Sequence, residues 1–305
     1  MTIPSLAAAL TLVGLSLLAG VATARAEAAL ISTPDPVLEP EALASQLRDH
    51  KDVRLLDVRK AEEFAKGHVV GAVNVDIDSW FKAAKASGPT DTAGWAERLG
   101  ALGIGPETRV LVYDGGGMTM ASAAWFVMQH FGVRDAAVVS GGWKLIPAVK
   151  PELITIEPTP APKPAQSKPA ASKVLVGWAD KAEVRKALDK GSARIWDARS
   201  ADEYTGKQAR DNPRVGHLPG SISLPHGALI NDEGRVRSAV EIREILTAAG
   251  FKPGDRIVAH CQGGGRSSFA ALAAVRAGFG PVENYLMSFG EWAADETCPV
   301  VKPGE

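Results

Sequence analysis

His260-Cys261-Gln262-Gly263-Gly264-Gly265-Arg266-Ser267 lies between a short apolar run and a long one, and these surroundings set the reading of the whole chain. Asp255-Arg256-Ile257-Val258-Ala259 predicts a buried strand, and Ser268 through Ala277 predicts a helix. The cysteine therefore falls at a strand-to-helix turn. Backbone N–H groups at a helix start have no intrahelical partner and the helix dipole is positive there, so an anion is stabilised. A thiolate is such an anion. Successive glycines let several N–H groups converge on one point, and Arg266 adds a permanent positive charge. Cys261 is expected to have a depressed pKa and to act as a nucleophile, with Gln262, Gly263, Gly264, Gly265 and Arg266 gathered around the anion.

The same pattern of motifs occurs twice along the chain. Arg54-Leu55-Leu56-Asp57-Val58-Arg59 is echoed by Arg194-Ile195-Trp196-Asp197-Ala198-Arg199, and Glu63-Phe64 by Glu203-Tyr204. Gly67-His68-Val69-Val70-Gly71-Ala72 answers to Gly216-His217-Leu218-Pro219-Gly220-Ser221 once an insertion, Gln208 to Arg214, is passed. Arg109 to Asp114 aligns with Arg256 to Cys261, and Ser140-Gly141-Gly142-Trp143 with Ser288-Phe289-Gly290-Glu291-Trp292. Shared order in both halves identifies an internal duplication. The copies differ where chemistry is expected, because Asp114 stands in place of Cys261.

Two chemistries use a cysteine loop closed by arginine, and loop length separates them. Cysteine phosphatases have five residues between cysteine and arginine, whereas Gln262, Gly263, Gly264 and Gly265 make four here. The smaller ring suits one sulfur atom better than a tetrahedral phosphate. In its six-residue loop and its paired motifs the chain resembles the rhodanese family of sulfurtransferases, in the tandem, exported bacterial form. The resemblance implies transfer of a sulfane sulfur from thiosulfate to cyanide or a thiol acceptor through a Cys261 persulfide, with a catalytic second domain and an inactive first one carrying Asp114. Mercaptopyruvate-using relatives have a different loop and an arginine where this chain aligns Glu203, so thiosulfate is the expected donor. Arg210 and Arg214 are candidates to replace that charge, which keeps 3-mercaptopyruvate as the alternative. A persulfide carrier of low turnover and a phosphatase- or arsenate-reductase-like enzyme are the other readings.

The motif residues present in both copies, Asp57, Arg59, Asp197, Arg199, His68 and His217, read as structural, since they cannot confer what only one copy has. Trp143 and Trp292 read as core for the same reason. His260 adjoins the nucleophile, but neighbouring side chains on a strand face opposite ways. Cys298, the second of two cysteines, lies beyond the last motif and is not expected to bridge Cys261.

Short Val/Ile/Leu strands alternate with amphipathic stretches such as Pro40–Arg48, Ala121–Phe131, Lys181–Leu188 and Ala239–Ala249, which predicts an α/β class with parallel sheets covered by helices on both faces. Two tandem domains are expected, residues 33–156 and 173–305, joined by a Pro/Ala-rich linker at 157–172. The 305 residues are 46% hydrophobic, enough for two cores, and the formal net charge of −1 leaves no basic footprint for nucleic acid. Small-molecule sulfur donors and acceptors are the expected partners, with a thiol protein as a further acceptor. No metal-ligand cluster or nucleotide loop is legible, so neither a metal nor a cofactor is expected. Residues 1–26 read as a signal peptide: Leu6 through Ala22 is uncharged, and Ala24-Arg25-Ala26 supplies a cleavage pattern, placing the mature protein in the periplasm or outside the cell and off the membrane. An uncleaved anchor is the alternative, because Met1 through Ser5 contains no Lys or Arg.

Overall fold

The computed structural model describes residues 34–167 and 176–302. The leader expected over 1–26, the linker residues 168–172, the first residues of each expected domain (33 and 173–175) and the last three residues lie outside the described residues. In chain order the strands are β1 (Val37–Leu38), β2 (Val53–Asp57), β3 (His68–Val69), β4 (Ala72–Asn74), β5 (Arg109–Tyr113), β6 (Ala136–Val139) and β7 (Ile154–Thr155), then β8 (Val176–Ala179), β9 (Arg194–Asp197), β10 (Ile222–Ser223), β11 (Ile257–His260) and β12 (Val282–Tyr285).

Each half builds a five-stranded sheet, in the orders β1-β6-β5-β2-β4 and β10-β9-β11-β12-β8, with every pairing parallel. Read from opposite edges the two orders are the same, so the duplicated motifs fold into duplicated topology. β3 and β7 form a separate antiparallel pair. The central strands, β5 and β11, are buried at Val110 to Tyr113 and throughout Ile257 to His260, and parallel strands covered on both faces are apolar runs for this reason. Asp114 and Cys261 follow them directly, at the carboxyl ends where open α/β sheets bind ligands.

Helices cover both faces of each sheet. One apolar cluster includes Val110, Val112, Trp125 and Phe126 of the first half and Ile257, Ala259, Cys261 and Phe269 of the second, so the two sheets share a core. Separate clusters back the outer faces, around Leu55, Leu111 and Tyr113 in one half and Val258, Tyr285 and Trp292 in the other. At the middle of the shared core the helix Thr119–His130 packs on the helix Gly265–Arg276. Both are buried almost all round, at Ala121 through Gln129 and at Ser267 through Ala274, and their alanines allow the close approach.

The helix after the cysteine begins at Gly265, three residues before the expected Ser268, and β11 starts at Ile257 rather than Asp255. Gly264, with φ of 105°, makes the turn and lets the helix start at once. Arg266 and Ser267 thus lie in the first helical turn. The described part of the prolyl segment runs as a strap on the first half: Ala165 N donates to Gly100 O at 2.9 Å, and His68 Nε2 lies 3.1 Å from Glu157 O.

Candidate active site

The paired motifs build one rigid frame in each half. Arg59 wraps around Asp57, with Nε 3.0 Å from Oδ1, and Nη2 donates to Gly67 O at 2.8 Å. Arg199 repeats this with Asp197 at 2.9 Å and Gly216 O at 2.8 Å. All four charged side chains are buried, and each arginine satisfies its carboxylate while tying a strand end to the following loop. His68 stacks on Phe64 and His217 on Tyr204, each with Nδ1 3.0 Å from its partner's carbonyl. These residues are structural. One alignment is corrected: Arg59 lies 3.9 Å from the Trp143 ring centre and Arg199 lies 3.8 Å from that of Phe289. Trp143 N donates to Asp114 O and Phe289 N to Cys261 O. Trp143 therefore corresponds to Phe289, while Trp292 is core further along its helix, and the sequence match misled because both segments end on a tryptophan.

Cys261 is 1% exposed and sits under the first turn of the helix Gly265–Arg276. Gly264 N donates to Sγ at 3.1 Å, and Ser267 Oγ lies 3.6 Å from it. Ser288 holds the cysteine backbone, with Oγ accepting from Cys261 N at 3.1 Å. Burial alone raises the thiol pKa, but the Arg266 charge, the Ser267 hydroxyl and the N–H groups of Ser267 and Gly263 outweigh it, and the net direction is down. Gly264 has no room for a side chain, because a Cβ there would lie 2.6 Å from Leu286 O. His260 points to the opposite face, fully buried, 3.7 Å from Asp197; burial holds its pKa down and its imidazole neutral. Cys298 belongs to the outer cluster behind the second sheet, whereas Cys261 belongs to the shared core, and both are free thiols.

The side chains of the other loop residues, Gln262 and Arg266, have partners of their own. Gln262 turns its amide to Asn212 in a reciprocal pair at 2.7 and 3.0 Å, so the loop amide that serves the sulfur comes from the backbone of its neighbours. Arg266 is gripped by Glu203 through both terminal nitrogens, at 2.6 and 2.9 Å, while its charge still acts on the thiol. Glu203 also receives Arg210 Nε at 2.7 Å and Ser200 N at 3.1 Å, and its pKa falls to about 2: burial opposes ionisation, and the arginine and serine contacts overcome it. Arg214 is committed elsewhere, donating to the carbonyls of Trp292, Ala293 and Cys298 and so fastening the end of the chain. Asn212, Ser267 and Ser288 were not singled out as site residues by sequence, although Ser267 closes the quoted loop, Ser288 opens the last paired motif and Asn212 lies in the insertion.

The first half contains the same cradle with a different occupant. Asp114 Oδ1 accepts from Gly116 N and Met118 N at 2.8 and 2.9 Å, and Oδ2 from Met120 N and Ala121 N at 3.1 and 3.2 Å. Four backbone donors on one carboxylate show that this turn geometry gathers negative charge.

A model of the Rhodanese-like domain matches the chain twice, over residues 39–146 and 180–295. The chain belongs to the rhodanese family. This rhodanese is 30% identical over 271 residues to the thiosulfate sulfurtransferase of Azotobacter vinelandii, a match covering 87% of this chain and 96% of that one. It is 27% identical over 280 residues to a probable 3-mercaptopyruvate sulfurtransferase of Pseudomonas aeruginosa, covering 87% and 97%. Its fold is shared with the anaerobic ergothioneine biosynthesis enzyme of Chlorobium limicola, at a TM-score of 0.79 and 20% identity over 89% of this chain and 71% of that one. Relatives of both donor types place this rhodanese among the sulfurtransferases without separating the donors.

Proposed function

We propose that the protein is a thiosulfate sulfurtransferase that works by double displacement on Cys261. The thiolate attacks the outer sulfur of thiosulfate; an S–S bond forms to Sγ, the S–S bond of the donor breaks, and its electron pair leaves with sulfite. The persulfide anion remains in the loop. An acceptor nucleophile, cyanide or a thiolate, then bonds to the terminal sulfur, and the electron pair of the breaking S–S bond returns to Sγ as thiolate. The observation that carries this reading is a thiol with lowered pKa, hydrogen-bonded by a loop amide at 3.1 Å beside the Arg266 charge. The first half, holding Asp114 where the second has Cys261, forms no persulfide in this reading.

Donor choice follows from the fate of the arginines. A keto-acid carboxylate asks for a bidentate guanidinium, yet Arg266 and Arg210 both serve Glu203, and Arg214 serves backbone carbonyls. Thiosulfate is therefore expected to exceed 3-mercaptopyruvate in kcat/KM by about tenfold or more in a side-by-side assay with cyanide, the order a missing polar contact produces. Equal or better use of 3-mercaptopyruvate would reverse the assignment of donor. The leader-like pattern of residues 1–26 supports an exported enzyme. N-terminal sequencing of exported material is expected to read from Glu27, and retention of Met1 would place the protein on an anchor.

A further inference from the structure

The cysteine loop belongs to the second half, but its outer side is closed by the first. Helix Ile77–Ser87 sets Phe81 and Lys85, one turn apart, against it. A Cβ placed on Gly264 would lie 2.9 Å from Phe81 Cζ, and one on Gly263 would lie 3.4 Å from Lys85 Nζ. Gly264 therefore leaves room for Phe81, and Lys85 reaches Gly263 beside it, although both side chains come from far away in sequence. Lys85 Nζ lies 4.9 Å from the centre of the Phe81 ring, and the two residues share an open cleft with Asp78, Lys82 and Ala86.

Lys85 differs from the other cations of the site in its commitments. Asp78, the carboxylate of the same cleft, is paired with Lys60, and Lys82 is exposed. Half-buried Lys85 makes no ion pair among the described residues, and the one charge acting on it is the Cys261 sulfur; burial holds its pKa down and that sulfur opposes the shift. Arg266, by contrast, already spans Glu203 with two hydrogen bonds. A dianion that reaches a thiol 1% exposed gives up its water, and the desolvation is offset only where a cation meets it. Among the described residues Lys85 has no carboxylate to give up on meeting the donor, and it lies nearer the loop than exposed Lys82.

We propose that Lys85, supplied by the first half, binds the sulfonate of the donor and the departing sulfite, while Arg266 remains paired with Glu203 and acts on the sulfur of Cys261 by its charge. This assignment rests on the thiosulfate reading above. It gives the first half a role in donor recognition despite Asp114, because Arg266, Arg210 and Arg214 of the second half are already committed to Glu203 and to backbone carbonyls.

Steady-state kinetics with thiosulfate and cyanide test it. Lys85→Met is expected to raise the KM for thiosulfate by about 10- to 100-fold, as expected of one desolvated charged contact. Product inhibition by sulfite should weaken by a similar factor, kcat should stay within about threefold and the KM for cyanide should not move, since only donor-side binding has been removed. Lys85→Arg, which retains the charge, should recover most of the loss. A structural role would instead lower kcat and stability without singling out thiosulfate and sulfite. Wild-type protein that takes no sulfur from thiosulfate would end the thiosulfate reading itself. Wild-type turnover combined with an unchanged thiosulfate KM and unchanged sulfite inhibition in Lys85→Met would overturn the assignment of Lys85 alone.

Discussion

Cys261→Ser protein is expected to show no thiosulfate-dependent transfer above background, a loss of more than about 10³-fold, as removal of a nucleophile produces. The hydroxyl is isosteric enough to leave the loop folded, since Gly264 N can still donate to it, but it stays protonated at neutral pH and forms no persulfide. Intact mass gives the second readout. Wild-type protein treated with thiosulfate should gain about 32 Da, one sulfur atom, and the variant should gain nothing. Retained turnover, or an adduct of that mass on the variant, would remove Cys261 from the chemistry.

Arg266→Ala should slow thiosulfate-driven transfer by about 10- to 1000-fold, the size of losing one preorganised charge at a reacting centre. The cause is legible in the thiol itself. Arg266 is the strongest of the influences that lower the Cys261 pKa against the effect of burial, so its removal moves that pKa upward. Iodoacetamide labelling against pH should therefore show a midpoint below that of a free thiol in the wild type and a higher one in the variant, with less thiolate available at neutral pH. The substitution also strips Glu203 of two hydrogen bonds, but Ser200 and Arg210 remain on that carboxylate, which limits the loss of stability. Arg266→Lys separates the two effects: it keeps the charge near the sulfur and loses the planar fork. A labelling midpoint unmoved in Arg266→Ala would show that the guanidinium does not set the reactivity of the thiol.

Much of this site was legible from residues alone, because it is local. A cysteine between an apolar strand and an apolar helix, with glycines and an arginine following, contains its own geometric instruction, and Cys261 lies where that instruction puts it. The duplication was legible for the same reason, as Asp57/Arg59 and Asp197/Arg199 make the same clamp at the same offset. What escaped depends on distance along the chain. Glu203 read as the absence of an arginine, whereas in space it is the partner of Arg266, 63 positions away. Lys85 carried no signal beyond lying one helical turn from Phe81, since only the packing of the two halves brings it to the loop. The helix start at Gly265 escaped because three glycines read as loop, although one of them, Gly264, made the turn.

In the first copy the carboxylate of Asp114 occupies the place that Cys261 holds in the second. A side chain anchored to its own loop is a plug: it never dissociates, and it satisfies four amide groups that an alanine there would leave bare. The fold of that half is thereby freed from any need for a visiting anion, and its loop is complete on synthesis. Under the proposed mechanism the second copy has the opposite constraint, because its pocket is vacated and refilled in every cycle, and a permanent stopper of the first kind would end turnover.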